Sequence, residues 1–197
     1  MTGPELLIRH PEEWRAATRH PFLDAVGEGA LPPRAFATWL AQDYLFVAGL
    51  LPFQARLLAQ APRAGQRALA GGVVALEAEL GWFEDVASRF GLNLEVDPHP
   101  TTAAYLSHLH AHADRWAAGI TCLWTGERGY LEAWRAAAPG PAAYREFIEH
   151  WTSLEFDAYV DALEDLVDMA GGDEAAFLAT CRHEHDFWEM AWSSARA

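Results

Sequence analysis

The sequence predicts an all-α protein, a single-domain helical bundle of seven to eight helices. Between the Gly- and Pro-rich breaks, apolar residues recur every three or four positions, which is the periodicity of an amphipathic helix. Segments between breaks reach about twenty residues, longer than a typical strand. None shows the alternating Val, Ile and Thr pattern with a tight turn that predicts a β-hairpin.

Five breaks separate the predicted helices. They are, in chain order, GEGALPP at 27–33, APRAG at 61–65, GLNLEVDPHP at 91–100, APGP at 138–141 and AGGD at 170–173. Thr101 or Thr102 is a candidate N-cap for the helix after the third break, and Asp173 is one for the last helix. The pair Gly71-Gly72 lies within a helical pattern and predicts close helix packing. No internal repeat or linker occurs, so residues 1–197 are expected to form one domain.

Composition limits the partners and the location of the protein. The 197 residues carry 28 Asp+Glu against 14 Lys+Arg, a formal net charge of −14. This excess repels phosphate backbones and anionic membranes, so we expect no nucleic-acid partner and no membrane partner. Only two cysteines occur, and no charged segment followed by an apolar run opens the chain. The sequence therefore predicts neither a disulfide framework nor a secretory signal, and a cytoplasmic protein is expected.

Three predicted helices place a carboxyl group on an apolar face. Asp43 falls in the stripe that contains Leu40 and Val47, and Glu127 and Glu184 have aromatic and aliphatic neighbours at helical spacing. Any one of these acids alone would as readily pair with an arginine or cap a helix. Three together, in a chain with few basic residues on apolar stripes, favour a polar pocket inside the bundle. The aromatic neighbours favour a flat, nitrogen-containing ligand.

Histidine and cysteine side chains are candidate metal ligands and nucleophiles. Two histidine runs occur, His108/His110/His112 and His183/His185. Residues two apart on a helix point about 200° apart, so these histidines are not expected to converge on one ion. Glu77 and Glu84, seven apart, leave a carboxylate-rich metal site as a minor alternative. Cys122 and Cys181 lie among apolar residues, where a small buried side chain is the usual role. We expect no metal and no cofactor.

Four segments, taken in order, resemble the TenA / thiaminase II family. They are HPFLDAVGEGALPPRAFATWLAQDYLFV at 20–47, LEAELGWFEDVA at 76–87, PHPTTAAYLSHL at 98–109 and EHDFWEMAW at 184–192. The resemblance implies a haem-oxygenase-like fold and a homo-oligomer, a dimer or a tetramer. It also implies an aminopyrimidine substrate, from which 4-amino-5-hydroxymethyl-2-methylpyrimidine is released in thiamin salvage.

The resemblance also implies roles for individual residues. Asp43 would bind the amino edge of the pyrimidine, Tyr105 and Tyr130 would line the site, and Glu184 would be the acid/base group. These positions include two of the three acids that helical spacing alone places inward.

Three departures from the family pattern affect the expected chemistry. Phe46 and Trp151 stand where many members have tyrosine, which keeps the ring surface but loses two hydroxyl groups. Gly126 stands where the family has its nucleophilic cysteine, and Cys122 lies one turn earlier. A branch without that cysteine is associated with hydrolysis of aminomethyl or formylaminomethyl pyrimidines, with the participation of a glutamate. Glu127 is our candidate for that glutamate.

Two alternatives to this enzyme remain open. A pyrimidine-binding protein or diverged enzyme would keep the pocket and lose the thiaminase chemistry, as the change at Gly126 suggests. A metal-dependent oxidase of the same fold would be expected to carry histidine at the positions of Trp151 and Ala158.

Overall fold

The computed structural model describes residues 1–196, and these residues contain ten α-helices and no β-strand. The helices are α1 Gly3–Arg9, α2 Pro11–Thr18, α3 Pro21–Glu28, α4 Pro33–Gln60, α5 Gln66–Phe90, α6 Pro100–His112, α7 Trp116–Ala137, α8 Arg145–Trp151, α9 Leu154–Ala170 and α10 Glu174–Ser193. A short 3-10 turn follows α10. The all-α prediction is confirmed. None of the helices is both long enough and apolar enough to cross a membrane.

The helix count is higher than the predicted seven to eight because the N-terminal segment is divided. α1, α2 and α3 are separated at His10 and His20, and each of these residues precedes a proline. Proline disfavours the helical conformation of the residue before it. The boundaries between α6 and α7 and between α8 and α9 carry neither Gly nor Pro. At the second of these, the Ser153 hydroxyl caps α9 by accepting from the Phe156 N–H at 3.2 Å.

The predicted N-caps were right at one helix and wrong at another. The Asp173 carboxylate accepts from the Ala176 N–H at 3.0 Å and caps α10, as expected. The expected cap at Thr101 or Thr102 is wrong because α6 begins before both. The ring nitrogen Nδ1 of His99 accepts from the Thr101 N–H instead, at 3.2 Å.

The long helices surround one interior. α4 packs along α5, and α7 contacts helices on all sides, among them α2, α3, α4, α6, α8, α9 and α10. Four tryptophans, Trp39, Trp124, Trp134 and Trp188, are fully buried. Trp134 stacks on Trp151 with ring centroids 4.9 Å apart. This aromatic packing holds α4, α7, α8 and α10 at fixed distances around the interior.

Two adjacent glycines of α5 have different surroundings. A Cβ atom on Gly72 would overlap the side-chain amide of Gln54 and lie 2.6 Å from the Tyr159 hydroxyl. A Cβ atom on Gly71 would meet no atom within 4 Å. The predicted close packing is therefore confirmed at Gly72 but not at Gly71.

These surroundings predict opposite effects of the same substitution. Gly71→Ala is expected to raise the free energy of unfolding by roughly 0.5–1 kcal/mol, because alanine loses less backbone entropy in a helix. Gly72→Ala is expected to lower it by roughly 1–3 kcal/mol, because the methyl group overpacks the contact. Urea unfolding followed by circular dichroism measures both values. Changes of the same sign in the two variants would contradict the packing described here.

Candidate active site

A cavity of about 50 Å³ lies in the interior; we call it the inner cavity. Its walls come from α4, α5, α6, α7, α8 and α10. The seven site residues predicted from the sequence all line it, and so do the two positions compared with the family nucleophile: Asp43, Phe46, Tyr105, Glu127, Tyr130, Trp151 and Glu184, with Cys122 and Gly126. Aliphatic side chains, among them Val47, Leu76 and Leu123, also line it.

Asp43 is held by a tyrosine. The Tyr130 hydroxyl donates to Asp43 Oδ2 at 2.6 Å, and Trp39 Nε1–H donates to the Tyr130 oxygen at 3.0 Å. Burial raises the pKa of Asp43 well above its ordinary value, and the hydrogen bond from Tyr130 only partly opposes this rise. Burial therefore favours the protonated form of Asp43 relative to an exposed aspartate.

Glu184 has a tyrosine partner of its own. The Tyr105 hydroxyl donates to Glu184 Oε1 at 2.5 Å, and burial raises the pKa of Glu184 to about 8. Gly126 faces this pair, because a Cβ atom on it would lie 3.1 Å from the Tyr105 oxygen and 3.5 Å from Glu184 Oε1. Glycine thus leaves room for the tyrosine–glutamate pair where the resemblance places a cysteine.

Glu127 lacks such a partner. No ion pair or side-chain hydrogen bond of Glu127 occurs within residues 1–196, and the neighbouring Arg128 pairs with Glu132 and Glu164 instead. Burial raises the pKa of Glu127 well above its ordinary value, and the carboxyl groups of Glu79 and of the other two cavity acids add to the rise. The carboxyl group of Glu127 is therefore available to a ligand or a water molecule.

Glu79 is a fourth acid of the cavity that the sequence analysis missed. Its Oε1 accepts from Trp151 Nε1–H at 2.8 Å and lies 3.2 Å from His150 Nε2. Glu77 and Glu84, the α5 acids considered from the sequence, are exposed and do not line the cavity. Apolar residues three and four positions to either side of Glu79 are the signal that would have identified it.

A second, more open cavity of about 850 Å³ lies between α5 and α9; we call it the outer cavity. It shares Leu76, Glu79, Glu127 and Trp151 with the inner cavity. These four side chains form the boundary between the two spaces. A ligand in the inner cavity would reach solvent past the carboxyl groups of Glu79 and Glu127.

The two cysteines and one histidine pair are the remaining candidate nucleophiles and metal ligands. Both cysteines are free and buried, and burial raises the pKa of Cys122 to about 12, so its thiol stays protonated at neutral pH. His108 and His112 each bring a ring nitrogen within 4.8 Å of the other and of Cys122 Sγ. The expectation that the histidines of this run do not converge is wrong for this pair. It compared residues two apart, whereas residues four apart share a helix face.

An all-α protein whose interior joins four carboxyl groups with aromatic rings is of the class that binds a small organic molecule. Comparison with known sequences then gives the family. The chain belongs to the TENA/THI-4/PQQC family, which it matches over residues 7–194. The resemblance found in the sequence is confirmed.

Individual relatives match over nearly the whole chain. A soybean (Glycine max) protein named probable bifunctional TENA-E protein is 28% identical, covering 94% of this chain and 90% of its own. An aminopyrimidine aminohydrolase of Halalkalibacterium halodurans is 29% identical, covering 91% and 90%. The solved structure of a TenA homologue from Pyrococcus furiosus is 30% identical, with a TM-score of 0.91 over 98% of this chain and 100% of that one.

The raised pKa of Glu184 predicts how stability changes with pH. Between pH 7 and 8 the folded chain retains a proton that the unfolded chain has lost, so the free energy of unfolding falls as pH rises. The slope contributed by one such proton is at most about 1.4 kcal/mol per pH unit.

Glu184→Gln removes the titrating group, so we expect a smaller loss of stability between pH 7 and 8 in this variant. Thermal unfolding at closely spaced pH values measures the slope. Glu77→Gln, which changes an exposed acid in the same way, should keep the wild-type slope. An unchanged slope in Glu184→Gln would show that Glu184 ionises at its ordinary pH.

Proposed function

We propose that the protein is an aminopyrimidine aminohydrolase of thiamin salvage. It would hydrolyse the aminomethyl or formylaminomethyl group on C5 of 4-amino-2-methylpyrimidine and release 4-amino-5-hydroxymethyl-2-methylpyrimidine. The name of the Halalkalibacterium halodurans relative supports this reaction. The observation that carries the proposal is the inner cavity, where the unpartnered Glu127 and the proton-holding Glu184 line one space.

Recognition of the pyrimidine is assigned to Asp43. A protonated carboxyl group donates one hydrogen bond and accepts others, so it matches a ring nitrogen and the neighbouring amino group of an aminopyrimidine. Tyr130 fixes the orientation of this carboxyl group. Phe46, Tyr105 and Trp151 supply ring surfaces for the flat substrate, and Phe46 and Tyr105 already contact each other with centroids 4.6 Å apart.

Hydrolysis requires a proton donor for the leaving nitrogen and a group that accepts a proton from water. Glu184, with a pKa of about 8, is protonated at neutral pH and would transfer its proton to the leaving amine. Glu127, in its carboxylate form, would orient the attacking water and take its proton, and its raised pKa makes that carboxylate a stronger base. The C–N bond breaks as the C–O bond forms. The products are the hydroxymethyl pyrimidine and either ammonia, from the aminomethyl substrate, or formamide, from the formylaminomethyl substrate. One proton then passes from Glu127 back to Glu184.

The proposed hydrolysis uses no thiol nucleophile. Gly126 supplies no side chain, and Cys122 is a buried thiol whose raised pKa keeps it protonated. Thiamin cleavage by addition of a thiolate to the ring is therefore expected to be slow. Water attack near the boundary of the two cavities is favoured instead, because the outer cavity gives water access to Glu127.

A binding function without turnover is the second candidate, and the glycine at position 126 is the observation that favours it. Calorimetric titration with the hydroxymethyl pyrimidine, run beside a turnover assay, separates the two functions. Tight binding without turnover of any aminopyrimidine would favour the binding protein.

We further propose that residues 1–197 act as one domain, in the cytoplasm, as a homo-oligomer. One hydrophobic core runs from Leu6 to Ala191, which supports a single domain. Two free cysteines suit a reducing compartment. Val74 and Leu154, 69% and 86% exposed, supply apolar surface for contact between subunits. Light scattering after gel filtration gives the number of subunits.

A substrate comparison tests the proposed reaction. We expect kcat/KM for the aminomethyl or the formylaminomethyl pyrimidine to exceed that for thiamin at least tenfold, because no thiolate is available. Release of the hydroxymethyl pyrimidine, quantified by chromatography, is the measurement. Thiamin as the best substrate would overturn the proposal.

Glu127→Gln tests the role of the unpartnered acid. The variant keeps the size of the side chain and removes the proton acceptor, so kcat should fall by roughly 10²- to 10⁴-fold, with a smaller change in KM. Glu77→Gln, on an exposed face of α5, is the matched control and should keep kcat. An unchanged kcat in Glu127→Gln would remove Glu127 from the mechanism and leave Glu184 as the acid/base candidate.

A further inference from the structure

A cluster of metal-ligating side chains lies beside the inner cavity and is not used by the proposed hydrolysis. His108 and His112 lie one turn apart on α6, and Cys122 lies on α7. Each offers a ligand atom within 4.8 Å of the other two. His108 Nε2 lies 3.4 Å from Cys122 Sγ and 3.1 Å from the Thr180 hydroxyl oxygen. Ring centroids of the two histidines are 4.6 Å apart.

The tautomer of His112 follows from its backbone contact. Nδ1 of His112 lies 2.8 Å from the carbonyl oxygen of His108. A carbonyl oxygen only accepts, so Nδ1 carries the proton and Nε2 keeps its lone pair. Histidines that bind metal ions are commonly oriented by a hydrogen bond of this kind from the other ring nitrogen.

We propose that His108, His112 and Cys122 bind one divalent metal ion of the zinc class. Imidazole and thiolate together favour a borderline-soft ion over Mg²⁺ or Ca²⁺, which prefer oxygen ligands. Binding replaces the S–H bond of Cys122 with a sulfur–metal bond and releases one proton to solvent. A water molecule or the Thr180 hydroxyl would complete a four-coordinate site.

Partial exposure and local charge support a site that an ion can reach. Both histidines are partly exposed, so the cluster is open to solvent on one side. The positive side chain of Arg182 lies near His108, and the negative charge of the thiolate would offset its repulsion of the ion. None of the four cavity acids contributes a ligand, so the site is distinct from the proposed catalytic groups.

The expected consequence of binding is a crosslink between α6 and α7. Tyr105, the partner of Glu184, lies one turn before His108 on α6, so the crosslink would stabilise the wall that carries this pair. We therefore assign the ion a structural role and route no step of the hydrolysis through it.

Cobalt(II) titration of protein first stripped with a chelator tests the site without any activity assay. We expect a thiolate-to-cobalt charge-transfer band in the near ultraviolet that saturates at one ion per chain and disappears when Zn²⁺ is added. Zn²⁺ should also raise the melting temperature. Cys181→Ser, which changes the other buried cysteine, is the matched control and should behave as wild type.

Two ligand variants decide the outcome. Cys122→Ser should lose the band, and His112→Gln should weaken cobalt binding at least tenfold, with circular dichroism to confirm that both are folded. No band in the wild type, an equal band in folded Cys122→Ser, or unchanged affinity in His112→Gln would each overturn the proposal. If Cys122→Ser does not fold, His112→Gln alone carries the test. Because the readout is spectroscopic, failure of the proposed hydrolysis would leave this result intact.

Discussion

The rest of the structure depends on burying four carboxyl groups in one interior. Asp43, Glu79, Glu127 and Glu184 all line the inner cavity, and no arginine lines it among the described residues. Charged carboxylates are costly to bury without counter-charges. Retained protons and donated hydrogen bonds lower this cost: tyrosine hydroxyls serve Asp43 and Glu184, and the Trp151 indole serves Glu79. A carboxyl group that holds its proton near neutral pH, as Glu184 does, also suits acid–base catalysis.

This constraint explains why the cavity acids lie on four different helices. Neighbouring positions on one helix would bring the charges together without room for their donors. With one acid each on α4, α5, α7 and α10, the donors come from α6, α7 and α8, so every pair crosses between helices. The packed tryptophans keep these donors and acceptors at hydrogen-bonding distance. Stability and site geometry therefore depend on the same contacts, and a change in either is expected to affect the other.

Much of the site could be predicted from the sequence because helical spacing is local. Asp43, Glu127 and Glu184 stand out as acids on apolar stripes, and the structure places all three on one cavity. Glu79 has the same signal but was not predicted, whereas Glu77 and Glu84 of the same helix were named as candidates and are exposed. Spacing does not reveal which donor reaches which acid, because Tyr130 and Asp43 are 87 residues apart in the chain. The predicted helix count was too low because the N-terminal segment is divided before Pro11 and Pro21, and because the boundaries α6–α7 and α8–α9 carry neither Gly nor Pro.

Gly126 and Cys122 distinguish this chain from an enzyme with a cysteine nucleophile, and both positions face side chains of α6. At Gly126 the missing side chain leaves space that the Tyr105 hydroxyl uses to reach Glu184. Cys122 lies one turn before Gly126 on α7, and its sulfur lies 3.4 Å from Nε2 of His108. His108 lies one turn after Tyr105 on α6. A histidine beside a thiol activates it when the imidazole accepts the proton, but burial lowers the pKa of His108 to about 4 and raises that of Cys122 to about 12. The neutral thiol and neutral imidazole are therefore the stable pair. This arrangement disfavours thiolate attack, which agrees with the proposed hydrolysis by carboxyl groups.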